Sequence, residues 1–125
     1  MSNYITKNDI IIFGPGYNKK INPSLLSKAP YKKIIFSNYE LNNGLFKKYE
    51  DNDYSHLEYI KSKFNQPLRN SLVNCTVLTH IIFGYYFNQP LLNSLVNCTA
   101  LTHIIFGYYF NQPLLNSLDN CTSLT

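Results

Sequence analysis

Three histidines and three cysteines carry most of the reactive chemistry in this chain, and both sets are periodic. His80 and His103 stand 23 residues apart, His56 precedes them by 24, and Cys75, Cys98 and Cys121 recur every 23 residues. Cys75 and Cys98 each lead a histidine as Cys-x-x-x-x-His, a spacing that raises the question of zinc. No Cys-x-x-Cys pair completes a tetrahedral set, and the cysteines fall in turns while the histidines fall on strands. No metal and no cofactor is therefore assigned. Stacked thiols approach disulfide distance, but three leave one over, and a buried thiol ladder is expected instead. The histidines are expected to face outward as a column of imidazoles roughly 5 Å apart. Such a column suits an acidic partner; duplication of a repeat also copies its histidine, so the column arises equally without a function.

Other chemistry is sparse. Glu50, Asp51 and Asp53 crowd one loop without the spacing of a calcium-binding loop. Gly14-Pro15-Gly16 lacks the Lys-Ser/Thr that follows in a phosphate-binding loop, and no paired-carboxylate or nucleophile–base motif appears. The expectation is a protein that is not an enzyme. The triplets beginning at Asn74, Asn97 and Asn120 match a glycosylation sequon and are read here as turn residues.

The elements that must position these residues follow from a repeat. Phe64 to Tyr86 recurs almost unchanged as Phe87 to Tyr109 and begins again at Phe110. The same frame places Ile34-Ile35-Phe36 one period after Ile11-Ile12-Phe13 and one period before Leu57-Glu58-Tyr59. Five strand cores are expected, with one extra residue between Tyr59 and Phe64. Leu78-x-x-Ile81-x-Phe83 and Leu101-x-x-Ile104-x-Phe106 follow the L-x-x-L-x-L pattern in which a short strand alternates inward and outward side chains. The fold class expected is a leucine-rich-repeat-like solenoid of about five 23-residue coils, with a parallel sheet on one face. The other face should carry short helical or 3-10 turns, opened by Pro90 and Pro113 and ended by Asn97. Phe64, Phe87 and Phe110 should form an aromatic spine continued by Tyr17 and broken where Glu40 or Leu41 takes the place.

The phrase Phe-Asn-Gln-Pro-Leu, set in Leu-Thr-His-Ile-Ile-Phe-Gly-Tyr-Tyr-Phe-Asn-Gln-Pro-Leu, resembles the FNIP repeat, a leucine-rich-repeat variant of social amoebae and giant DNA viruses. The likeness is strong over residues 54–125 and weak over 1–53. It implies a protein-interaction module, in some members attached to an F-box. An F-box needs several helices ahead of the repeats, and here a strand is expected by Ile10, so none is assigned. The whole of 1–125 is read as one repeat domain.

Charge separates the two parts. All eleven Lys and Arg and six of the seven acids lie within residues 1–69, and only Asp119 is charged after Asn70. The net charge of +4 comes from scattered lysine pairs with no Arg-rich run, which argues against nucleic acid. No segment approaches the roughly 18 apolar residues of a membrane span, nor does the N-terminus read as a signal peptide, so an intracellular, cytoplasmic location is expected.

Ile12, Ile35, Ile82 and Ile105 take the outward position between inward strand residues, interrupted by Glu58. A line of exposed isoleucines would mark an interface, although strands favour β-branched residues in any case. The leading expectation is a scaffold that presents His56, His80, His103, Ile82, Ile105, Tyr85 and Tyr108 to an unknown protein partner. Two other readings stand beside it: a truncated or lightly selected repeat paralogue with only a structural role, and a salt-sensitive binder of RNA or acidic lipid through the lysine-rich first half. Self-association through the last coil is a further expectation.

Overall fold

A computed structural model describes residues 3–125. Its five strands are β1 (Tyr4–Lys7), β2 (Ile10–Phe13), β3 (Lys33–Phe36), β4 (His80–Ile82) and β5 (His103–Ile105), joined in that order into one sheet. Two short helices complete it, α1 (Pro23–Leu26) and α2 (Leu45–Asp51).

The sheet is mixed, which corrects the expected uniformly parallel leucine-rich-repeat-like solenoid. Strand β1 runs antiparallel to β2, with Tyr4 opposite Phe13 and Lys7 opposite Ile10. Only Asn8 and Asp9 link them, and Asn8 adopts a left-handed φ of 54°, the conformation a tight turn asks of an asparagine. Tyr4-Ile-Thr-Lys has no counterpart in the 23-residue frame, so the repeat pattern gave no sign of a strand there. From β2 onward the pairing is parallel.

The five expected strand cores also become four. Residues 57–59 form no strand; Tyr59 makes only an isolated antiparallel bridge to Tyr39. Strand β4 pairs directly with β3, Lys33 opposite His80. Contacts between these coils accordingly span 47 positions, as from Asn65 N to the Asn18 side chain at 2.9 Å. Later contacts span 23, as from Asn88 N to Asn65 at 2.8 Å. The difference is one repeat plus the extra residue. The second repeat has left the stack and become a detour that carries α2.

The Phe-Asn-Gln phrase supplies the joints between coils. Each asparagine side-chain oxygen accepts the backbone N–H of the next coil's asparagine and the side-chain N–H of its glutamine: Asn65 from Asn88 (2.8 Å) and Gln89 (3.1 Å), Asn88 from Asn111 (2.8 Å) and Gln112 (3.0 Å). Beneath them the phenylalanines stack. Phe64 lies 5.9 Å from Phe87, which lies 6.0 Å from Phe110, and Tyr17 continues the column at 6.2 Å from Phe64. The break expected at Glu40 or Leu41 is absent because those residues belong to the detour. A second aromatic column, Phe13, Phe36, Phe83 and Phe106, comes from the strands and packs against the first. Stacked rings of this kind add about 0.5–1.5 kcal/mol per pair beyond burial.

The return side differs from expectation as well. Helix α1 forms in the first coil, where Asn22 caps Ser24 N at 2.9 Å and Pro23 opens the turn. After Pro67, Pro90 and Pro113 the chain makes turns only. Arg69, Leu92 and Leu115 take φ of 49°, 50° and 45°, and a left-handed residue so soon after the proline prevents an α-helical turn. Asn97 therefore does not end a helix. Its side chain donates to the Val73 carbonyl of the preceding coil at 2.9 Å, and Asn120 repeats the contact to Val96 at 3.1 Å.

The register ladder makes a prediction with an internal control. Asn65→Ala removes the acceptor of two inter-coil bonds, whereas Asn111→Ala retains the backbone donor that Asn111 contributes. Urea denaturation should show Asn65→Ala destabilised by about 1–2 kcal/mol and Asn111→Ala close to unchanged.

Candidate functional site on the outer face of the sheet

Strand alternation divides the sheet into two faces. Ile11, Ile34 and Ile81, with Phe13, Phe36 and Phe83, point into the core and are buried. Two rows face outward: Ile10, Lys33, His80, His103 and, beside it, Ile12, Ile35, Ile82, Ile105. Lys33 holds the place in the first row that the sequence had assigned to His56. His56 lies in an exposed turn of the detour with a φ of 63°, so the three expected histidines reduce to two.

Those two are closely associated. The rings of His80 and His103 stack at 4.5 Å with 5° between their planes. Thr79 Oγ1 lies 3.0 Å from the Lys32 carbonyl and 2.8 Å from His80 Nδ1; Thr102 Oγ1 lies 3.0 Å from the Thr79 carbonyl and 2.9 Å from His103 Nδ1. A hydroxyl has one proton, and with that proton directed to the carbonyl the ring Nδ1–H donates to the oxygen. This assignment from the hydrogen-bond network leaves Nε2 of each neutral imidazole as an acceptor. Burial pushes the His80 pKa down, and the charges of His103 and Lys33 push it further the same way.

The isoleucine row is not uniformly exposed. Ile12 and Ile35 are buried beneath α2, whose Leu45 and Phe46 pack on them, with Tyr49 beside. Burying two such side chains contributes about 1.5–3 kcal/mol each. Ile82 is half-buried, and Ile105 is 51% exposed. The expected line of four exposed isoleucines is therefore half covered by the chain's own helix. What remains is a groove of about 530 Å³ between α2 and β5, lined by Asp9, Lys33, Phe46, Tyr49, Glu50, Asn52, His80, Ile82, His103 and Ile105 among others.

Sequence reasoning missed α2. The signal was present in Asn42-Asn43-Gly44 followed by Leu45, Phe46 and Tyr49, apolar positions on one helical face, but the repeat frame had assigned those residues to a coil. Helix α2 is held by a tyrosine cluster. Tyr49 donates to Ser37 Oγ at 3.0 Å, its pKa pushed up to about 12 chiefly by burial, and Tyr39 stacks on Tyr54 at 5.0 Å. Tyr85 and Tyr108 stack at 5.1 Å, with Lys61 Nζ 4.7 Å from the Tyr85 ring centroid. They are not among the residues lining the groove; Tyr108 is 76% exposed beyond it. A second hollow, about 590 Å³, lies on the return side between Pro67, Val73, Pro90, Leu92 and Val96. Its walls are turns and Arg69 is its one titratable group, so the outer groove, framed by strands and rich in titratable groups, is the candidate site.

The chain matches no family model, no curated protein and no solved structure. With the mixed sheet, this removes the support for describing it by the FNIP repeat, leucine-rich repeat, solenoid or giant virus; the likeness of phrase carries no part of the functional reading. Among the described residues no three His, Cys, Asp or Glu side chains are grouped to hold a metal ion, and no helix is long and apolar enough to cross a membrane. Glu50 and Asp51 flank Lys47 in exposed pairs at 4.0 and 3.5 Å, and Asp53 accepts from Ser55, which holds its carboxyl below the usual range.

The cysteines lie in the core. Burial pushes Cys75 up to about 11 and Cys98 up to about 12, and it raises Cys121 as well. All three should resist a thiol-specific reagent at pH 8 in the native state and react fully in denaturant; rapid native reaction at any of them would refute the buried ladder. For His80 the lowered folded pKa means that protons bind the unfolded chain more readily. Stability is then complete above the ordinary imidazole pKa of about 6.5 and declines as pH falls through it towards the folded value. NMR titration should place His80 below a free imidazole, and His80→Gln should flatten the stability profile in that window.

Proposed function

We propose that this chain is a non-enzymatic scaffold that binds a protein partner on the outer face of its sheet. The observation that carries the reading is the interrupted covering of that face: α2 buries Ile12 and Ile35, Ile82 beside them is half-buried against the same cluster, and the row ends on Ile105, which is 51% exposed. A contiguous apolar surface rimmed by polar groups is the usual mark of an interaction site. His80 and His103 border it, and the exposed Tyr108 and Tyr109 stand beyond the end of β5, where aromatic residues often anchor an interface rim.

The non-enzymatic part of the reading rests on the chemistry of the reactive groups. Both histidines turn Nδ1 to threonine, and the thiols are sealed in the core with pKa values pushed upward. Neither set is arranged as a nucleophile with its base.

The paired substitution His103→Lys with Ile105→Lys tests the face without disturbing the core, since both side chains are exposed. Capture of a specific partner from native cells, identified by mass spectrometry, should fall at least about tenfold, with circular dichroism unchanged. The same partner retained at full yield by the variant would exclude this surface.

A further inference from the structure

Helix α2 shows what the uncovered part of the face is shaped to hold. It rests over the outward isoleucines of two adjacent strands, β2 and β3. Strands β4 and β5 present the same two-strand platform, Ile82 and Ile105, in the same row. Two strand spacings amount to roughly 9.6 Å, and packed helices lie about 8–10 Å apart. A second helix seated over Ile82 and Ile105 and running alongside α2 would lie at ordinary packing distance from it, with Phe46 in the groove wall between them.

The polar lining selects the charge of that helix. The groove is lined by the carboxylates of Asp9 and Glu50 and by His80 and His103, whose Nδ1 atoms are engaged by threonine, against the one lining ammonium of Lys33. Tyr49 is already engaged with Ser37, and Lys47 reaches Glu50 only at 4.0 Å on the exposed side of α2. Lys7 is turned to Phe46 at 6.0 Å. With Nδ1 engaged by threonine, a neutral imidazole keeps Nε2 as its acceptor and asks for donors, not for the acidic partner that a histidine column first suggests.

We propose that the partner element is a basic amphipathic helix that docks beside α2, its apolar side on Ile82 and Ile105 and its lysines or arginines on Asp9, Glu50 and the two imidazoles. This rests on the reading of the outer face as a protein-binding surface and names the class of partner. Protonation of His80 converts its Nε2 from an acceptor to a cationic donor, so it opposes such a helix. Binding strengthens as pH rises through the imidazole range and weakens as pH falls.

Fluorescence anisotropy on the full chain tests this with three labelled peptides that share an apolar Leu-Phe-x-x-Tyr face. One carries lysine and arginine at the polar positions, one glutamate, and the third is the basic peptide with a central proline. The basic helix should bind at least about tenfold tighter than the acidic one, and the proline should weaken it by a similar factor. Its affinity should drop at least about fivefold between pH 8 and pH 5.5 in the wild-type chain, and less in the His80→Gln, His103→Gln variant. Equal or tighter binding of the acidic peptide, indifference to the proline, or no binding of any peptide overturns the proposal. If the peptides fail while His103→Lys with Ile105→Lys still loses its cellular partner, only the helix inference falls; if that variant also retains its partner, the docking surface falls with it.

Discussion

A coil of 23 residues with a strand of three cannot bury an apolar side chain on both sides by itself, so its stability comes from its neighbours. What aligns those neighbours here is the coupling of two ladders. Asparagine oxygens accept from the next coil at the surface, while phenylalanine rings stack beneath, one column from the strands and one from the return phrase. A slip of one residue would turn Ile81 and Phe83 outward and bring Ile82 into the core, and would separate every asparagine from its donor. The close approach this register requires is visible at Gly84, where a Cβ would collide with the Ser62 side chain and come within 3.0 Å of the Phe36 carbonyl oxygen.

The same register explains how a whole repeat length can leave the stack without breaking it. Phe64 and Asn65 dock on Tyr17 and Asn18 with the geometry that Phe87 and Asn88 use on Phe64 and Asn65. The contact is indifferent to the number of residues looped out between them, because a longer loop adds little closure entropy, about 0.6 kcal/mol per doubling. The looped-out residues are not idle. Their helix covers Ile12 and Ile35, and Tyr39, Tyr49 and Leu57 extend a second apolar cluster on the outer side of the sheet. The groove exists because this covering stops short of β5.

Much of the candidate site was legible in the residues. Period and alternation placed His80, Ile82, His103 and Ile105 on one face, and they line one groove. His56 failed because a local phrase cannot show that its neighbours have been diverted; in space Lys33 stands where a histidine was expected. Tyr85 and Tyr108 were assigned to the same surface from their nearness in sequence to the strand, yet the chain turns after Phe83 and Phe106 and carries them past the groove.

By itself, then, the sequence determined the periodic contacts: which side chains alternate inward, which aromatic rings stack, and which asparagines recur at each joint, since these depend on spacing along the chain. The tertiary structure alone decided strand order and direction, the antiparallel β1, the removal of one repeat from the sheet, and the sign of the groove's polar lining. These depend on what meets across 47 positions and on where a single hydroxyl proton points, and neither is written in any one repeat.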